Sequence, residues 1–317
     1  MVEELKKLFN NRGLVLFLLE ALLALIVIVS IILEAVKIND IHTVNAMRSD
    51  FIAKQKKEER AFSRAERNLI KKTKETTPKV NDEKVLNGRL SPYLENTDAE
   101  VSVAIYSKKN NHIYQTTNSK RTTYPSASII KADFLVELLH QKHKAGQSLD
   151  VNEQAVIQKM MEHSDNDAAT NVYNQIGGYS GLARYFSNVG MDGSVALTTG
   201  WALTATTPLD QIKTLNIIFY QSNYISDTSR SYIEYLMGHV AEDQNWGISV
   251  GSKHFCLKNG WKQMPNGKWI INSMGQIGTG QNSCTIAIMS TGNKTEQSGE
   301  KLVEDLTKAV SSELKIK

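Results

Sequence analysis

Hydrophobic and polar positions divide this chain into three blocks. In residues 13–36, GLVLFLLEALLALIVIVSIILEAV, every helical face is apolar; Glu20 is the one acid well inside and Glu34 lies at the far edge. About 20 mostly apolar residues suffice to cross a bilayer as a helix, so this block predicts one N-terminal transmembrane helix, with residues 1–12 on the cytoplasmic side. A cleaved signal peptide is the competing reading, but Leu33-Glu34-Ala35 is a poor small-residue cleavage site, which favours an uncleaved signal anchor. In residues 37–80 Lys, Arg, Glu and Gln dominate and apolar residues are scattered, a pattern that cannot bury a core. This second block reads as a partly helical, charged stalk ending at Thr76-Thr77-Pro78, either a solvated spacer or a basic face laid against an anionic membrane or wall polymer.

From residue 81 to 317 the pattern is that of a packed domain. A short helical stretch from Glu83 to Leu94 precedes the alternating run VSVAIYSKKN, a turn at Asn110-Asn111 and HIYQTT, which together predict a β-hairpin. From Ser128 to Lys144 apolar residues return at helical spacing, and further helical segments follow up to Met237. The chain then reads as the strands HFCLKNGW, KWIINSMG and SCTIAIMST, closed by a helix from Glu296 to about Leu314. Strands at both ends with helices between them predict an α/β fold of the α+β sandwich type, with one mixed sheet whose first and last strands pair, plus a helical lobe.

Composition narrows the classes further. The net charge of +4 is concentrated before the domain, so it is not a nucleic-acid footprint. Cys256 and Cys284 show no zinc spacing and fall on the first and third of three consecutive strands. If those strands form a meander, the Cα atoms lie about 10 Å apart, beyond disulfide reach, and free thiols are expected. His140 and His143 have no third ligand and no H-E-x-x-H pattern, so neither metal nor cofactor is called for. His163 reads as a surface histidine beside a motif.

The candidate chemistry lies in Ser128-Ile129-Ile130-Lys131, Ser164-Asp165-Asn166 and Lys258-Asn259-Gly260, in that order. Ser-x-x-Lys also occurs at Ser298 and Ser312, but only the first copy opens an apolar helix after a breaker, Pro125. There the serine and lysine share one side, and a buried lysine of lowered pKa can take the serine proton. Taken alone, Ser128 would read as a helix cap. Ser164 adds a hydroxyl that can relay a proton to a leaving group, Asn166 an amide for a substrate carbonyl, and Lys258 with Asn259 a cation and an amide for a carboxylate. The small Gly260 lets a ligand approach the strand edge, so that the backbone N–H of Trp261 can join that of Ser128 as an oxyanion hole.

With these motifs the region from residue 81 to about 314 resembles the class A β-lactamases and related penicillin-binding proteins. TYPSASIIKADF is similar to their nucleophile helix, HSDNDAATNVYNQIGGYSGLARYF to their all-helical lobe, and STGNKTEQSGEKLVEDLTKAV to their final strand and helix. The resemblance implies an antiparallel sheet flanked by helices, acylation of Ser128 with Lys131 as its activator and Ser164 as proton shuttle, and substrate binding by Asn166, Lys258 and Asn259. It also implies a β-lactam or D-alanyl-D-alanine-like cell-wall peptide as substrate, and hence a domain outside the cytoplasm of a wall-bearing bacterium.

The departures from the family pattern point to slow turnover. Class A enzymes activate the deacylating water with a Glu ahead of a Thr-Thr-Pro segment; here MDGSVALTTGWALTA precedes Thr206-Thr207-Pro208 and its one acid is Asp192. The stretch from Lys131 to Ser164 is short, Asn259 stands where Thr is usual, and no arginine follows Gly260. The alternative to a slow hydrolase is a catalytically degenerate wall-peptide-binding protein that kept the pocket. Nothing in the sequence specifies an oligomeric state.

Overall fold

The computed structural model describes residues 83–316, residue 221 excepted. The expected anchor at 13–36 and stalk at 37–80 lie outside the described residues, among which no helix is long and apolar enough to cross a membrane. The chain runs α1 (Glu83–Glu95), β1 (Glu100–Ser107), β2 (His112–Thr117) and β3 (Tyr124–Pro125), then a 3₁₀ turn at Ala127–Ile129 and α2 (Ile130–Lys144). Next come α3 (Val151–Glu162), α4 (Asn166–Gln175), α5 (Gly178–Val189), β4 (Ala205–Thr206), α6 (Pro208–Phe219) and α7 (Asp227–Gly238). The domain closes with β5 (Phe255–Gln263), β6 (Trp269–Ile277), β7 (Cys284–Asn293) and α8 (Glu296–Leu314).

Five strands form one sheet in the order β2-β1-β7-β6-β5, and β3 pairs separately with β4. The first and last long strands do meet, β1 against β7, with Ile105 opposite Ile286. The expectation of a mixed sheet is corrected: every pairing is antiparallel, because β1 and β2 form a hairpin and β5, β6 and β7 a meander. Cys256 on β5 and Cys284 on β7 therefore have β6 between them and are free thiols.

Both faces of the sheet are covered. On β7, Ile286 and Ile288 point into a core with Leu90 and Leu94 of α1 and Val303, Leu306 and Val310 of α8. Their neighbours Ala287 and Met289 point the other way, into a core shared with the helical lobe. This is the period-two alternation of a strand buried on both faces. α2 is the axis of the lobe, with every residue from Ile130 to His140 buried. A helix apolar on one stripe only would sit at the surface; this one is enclosed, and it carries Lys131, Asp133 and Glu137 inside.

Candidate active site

The turn that carries Ser128 follows from the short β3–β4 ladder. Tyr124 pairs with Thr206 and Pro125 with Ala205, and the Ser126 N–H donates to Thr204 O at 2.9 Å. The chain then tightens into the 3₁₀ turn, so Ser128 lies half-buried just ahead of α2 and not in its first α turn. Ala127 takes a left-handed φ of 46° there, as does Ser164 with φ 56°. A side chain in this region costs about 1–3 kcal/mol and persists where surrounding structure holds it.

Two neighbours hold the turn. On β6, Asn272 Nδ2 donates to Pro125 O at 2.9 Å and Ser126 O at 3.0 Å, while its Oδ1 accepts from Ser290 N. Directly opposite Asn272 on β5 is Gly260, where an added Cβ would stand 2.7 Å from both Ser128 N and Ile129 N. The glycine is thus required by the close approach of β5 to the Ser128 turn, a reason distinct from the ligand access expected of it. Trp261 follows on the same edge strand, half-buried and set edge-on against Trp246 at 5.7 Å.

The helical lobe supplies the second motif. Asp165 caps α4 by accepting from Ala168 N at 2.7 Å, which turns Ser164 and Asn166 to the Lys131 side. Lys131 Nζ donates to Ser164 O at 2.5 Å, Ser164 Oγ at 3.2 Å and Asn166 Oδ1 at 2.9 Å. Lys258 Nζ donates to the same Ser164 Oγ at 2.9 Å. One hydroxyl therefore joins two lysines, both with at most 1% of their surface exposed. No hydrogen bond joins Lys131 to Ser128 among the described residues; the lysine's three bonds all go to Ser164 and Asn166.

Burial decides the protonation of this pair. It pushes Lys131 down to about 7 against the opposing charge of Asp165. Burial, reinforced by the charge of Lys131, holds Lys258 well below the ordinary lysine range. An ordinary lysine is neutral in roughly 0.04% of molecules at pH 7, whereas a lysine held near 7 has a substantial neutral fraction that can accept a proton.

Asn259 is not brought to this cleft. It is fully buried, and its Nδ2 donates to Gln244 O at 2.8 Å and Trp246 O at 3.0 Å, anchoring the 242–251 segment to β5. Gly247 (φ 76°) completes that anchor, since a Cβ would lie 2.5 Å from Ser273 Oγ. His163 is the exposed C-cap of α3, and His140 packs by stacking on Tyr224 at 3.8 Å.

Trp201 is the residue that sequence reading overlooked. In the loop between α5 and β4 its indole stands 5.2 Å from Lys131 Nζ, edge-on to Phe134 at 5.9 Å, and donates from Nε1 to Thr170 Oγ1 at 3.2 Å. The loop without a Glu thus presents an aromatic ring to the lysine. A lone Trp in an irregular loop carries no periodic signal that would have placed it.

A model described as the β-lactamase enzyme family matches residues 141–314, more than half of the chain; Ser164, Asn166 and Lys258 fall inside that span, Ser128 and Lys131 just before it. No curated protein sequence matches. Solved structures share the fold. A class A β-lactamase from Bacteroides cellulosilyticus superposes with TM-score 0.63 at 15% identity, over 73% of this chain and 98% of that one. The TLA-3 extended-spectrum β-lactamase gives 0.65 at 18% identity, over 74% and 99%. PBP-A, a mutant of which is known as an acyl-enzyme complex with penicillin G, gives 0.63 at 15% identity, over 76% and 99% for the unmutated structure.

Proposed function

The chain belongs to the β-lactamase enzyme family, and on that premise we propose that it is a serine acyl-transfer hydrolase acting on β-lactams or D-alanyl-D-alanine-like cell-wall peptides through an acyl-enzyme on Ser128. The observation that carries this reading is the bridge of Lys131, Ser164 and Lys258 beside the Ser128 turn. Neutral Lys131 takes the proton of Ser128 as the hydroxyl attacks the substrate carbonyl. The oxyanion is held by the backbone N–H groups of Ser128 and Trp261. As the C–N bond breaks, Ser164 gives its proton to the leaving nitrogen and is reprotonated from Lys131. Asn166 Oδ1 is already used by Lys131, so its Nδ2 is the group offered to a substrate carbonyl.

A substrate carboxylate at Lys258 restores charge to that buried lysine, and like-charge repulsion through the shared hydroxyl then favours a neutral Lys131. Carboxylate binding and activation of the nucleophile are thereby linked. Deacylation is slow, because the loop facing Lys131 offers Trp201 and no Glu to draw a proton from water. The domain works outside the cytoplasm, where such acyl donors occur, held at the cell membrane by residues 13–36. The inward turn of Asn259 favours the competing reading of a peptide-binding protein without turnover, since it leaves Lys258 without the amide expected to share the substrate carboxylate.

The test is intact mass of the purified full-length protein over time with penicillin G, beside Ser128→Ala. The expected result is a covalent adduct on the wild type alone, persisting for hours. An adduct that clears as fast as the drug is consumed would replace slow turnover with true β-lactamase activity. No adduct with any β-lactam would shift the assignment to the binding protein.

A further inference from the structure

Two residues beyond Lys131 on α2, Asp133 has no exposed surface and takes no part in the chemistry above. Its Oδ1 accepts from the Thr214 hydroxyl and its Oδ2 from Gln211 Nε2 at 3.0 Å, both on α6. Gln211 Nε2 also donates to Thr206 Oγ1 at 3.0 Å, and Thr206 Oγ1 meets Ser194 Oγ at 2.8 Å. Thr206 belongs to β4, whose neighbour Thr204 holds Trp201 O through its N–H at 3.0 Å and its hydroxyl at 2.7 Å, and accepts Ser126 N. A continuous buried path therefore runs from the helix of Lys131 to both the Trp201 loop and the turn of Ser128.

We infer that Asp133 is a positioning residue, a neutral carboxyl latch that ties α2 to α6 and β4 and thereby holds Trp201 over Lys131. The inference takes over the reading of Ser128 and Lys131 as the acylation pair. The surroundings favour the uncharged acid. Burial, with the charge of Asp210 added, pushes Asp133 up to about 7 in spite of the bonds from Thr214 and Gln211. Asp210 is itself buried and raised, with Lys213 3.0 Å away as its counter-charge. From α5, Tyr185 faces the cluster with its hydroxyl 2.9 Å from Thr214 Oγ1 and is pushed well above the ordinary phenol range, so it brings no charge at neutral pH. On α2 itself the flanking ionisable groups are Lys131 and Glu137, the latter bonded to Tyr224 and Gln141. The Thr214 hydroxyl can turn to Met191 Sδ at 3.7 Å, which frees its oxygen to accept from protonated Asp133.

The direction of the pH effect follows. The folded acid holds its proton more tightly than an exposed one, so its stabilising contribution is full at low pH and is lost as pH rises through about 7. Above that, a second buried negative charge beside Asp210 opens the latch.

The experiment compares wild type, Asp133→Asn and Asp133→Leu in the full-length protein, with Trp201→Phe to assign the fluorescence. Three readouts are followed from pH 5 to 9: indole fluorescence, thermal midpoint and penicillin G acylation rate by intact mass. Wild type is expected to show a fluorescence transition near pH 7 that Trp201→Phe lacks, and a thermal midpoint that falls from pH 5 to about 7 and levels off above it. Asn, which mimics the neutral acid, removes the fall in thermal midpoint and retains acylation at pH 6; the fluorescence change that remains in it reports Lys131, itself held near 7 beside the indole. Leu removes the partner that Gln211 and Thr214 share and slows acylation at pH 6 by about tenfold to a hundredfold, the scale of an ångström-level misplacement. If Leu fails to fold, Thr214→Val removes one bond of the latch; because that bond favours the charged carboxylate, its loss is expected to raise the pH of the Asp133 transition while lowering the thermal midpoint. An Asn variant whose thermal midpoint falls with pH as that of wild type does would overturn the inference, as would a Leu or Val variant with unchanged fluorescence and rate. A wild type that penicillin never acylates refutes the proposed function and leaves the fluorescence and melting readouts to decide the latch.

Discussion

Gly260→Ala tests the geometry of the nucleophile turn most directly. The added methyl carbon would sit 2.7 Å from Ser128 N, 2.7 Å from Ile129 N and 3.0 Å from Ser126 O. These are backbone atoms, so no side-chain rotation relieves the contact. Because carbon and nitrogen pack at about 3.5 Å, β5 and the turn must separate by several tenths of an ångström. The turn cannot retreat freely, since Asn272, opposite Gly260 on β6, grips Pro125 O and Ser126 O. Overpacking of this kind costs about 1–3 kcal/mol of stability. A displacement approaching 1 Å at the attacking oxygen and its oxyanion N–H groups costs up to about a hundredfold in rate. The assay is penicillin G acylation by intact mass at several drug concentrations, with thermal unfolding alongside. Gly88→Ala, where an added Cβ meets nothing within 4 Å, is the control and is expected to match wild type. The result expected is a fall of about a hundredfold in acylation with the fold retained. A rate within about threefold of wild type would refute the claim that β5 presses on the turn.

Asn272→Ala leaves two buried carbonyls without their donor and is expected to lower stability by about 2–4 kcal/mol in denaturant unfolding, with slower acylation. With Lys131 held near 7 by burial and active when neutral, the acylation rate rises about tenfold between pH 5 and pH 6; a flat profile there would remove Lys131 as the base. Trp201→Ala opens the Lys131 side of the cleft to water and is expected to shorten the acyl-enzyme lifetime several-fold, read as faster loss of the adduct mass.

Much of the fold was legible because its long elements have clear periods. The β1–β2 hairpin, the β5–β6–β7 meander and α8 follow from alternation, turn residues and helical spacing. β3 and β4, at two residues each, are too short to show a period, yet they seat the Ser128 turn. Lys131, Ser164, Asn166 and Lys258 were found by motif and are brought together by α2, α4 and β5. The inward turn of Asn259 was available in principle. Neighbouring strand residues leave opposite faces, so Lys258 and Asn259 could not both point at one ligand. Asn272 reads in sequence as one of two adjacent polar residues, with Ser273, in the apolar run of β6, and its role depends on a turn 147 residues distant along the chain. Trp201 and the Asp133 network depend on tertiary packing of irregular loops, which no local pattern encodes.

The left-handed backbones of Ala127 and Ser164 have a consequence for how this domain tolerates change. Each adjoins or belongs to a site serine, and neither is the glycine that would relax it. Glycine at 127 would relieve the torsional penalty while widening the range of orientations open to the next residue. A screen that selects only for heat resistance should therefore favour glycine there, and enrich for molecules that fold well and acylate poorly.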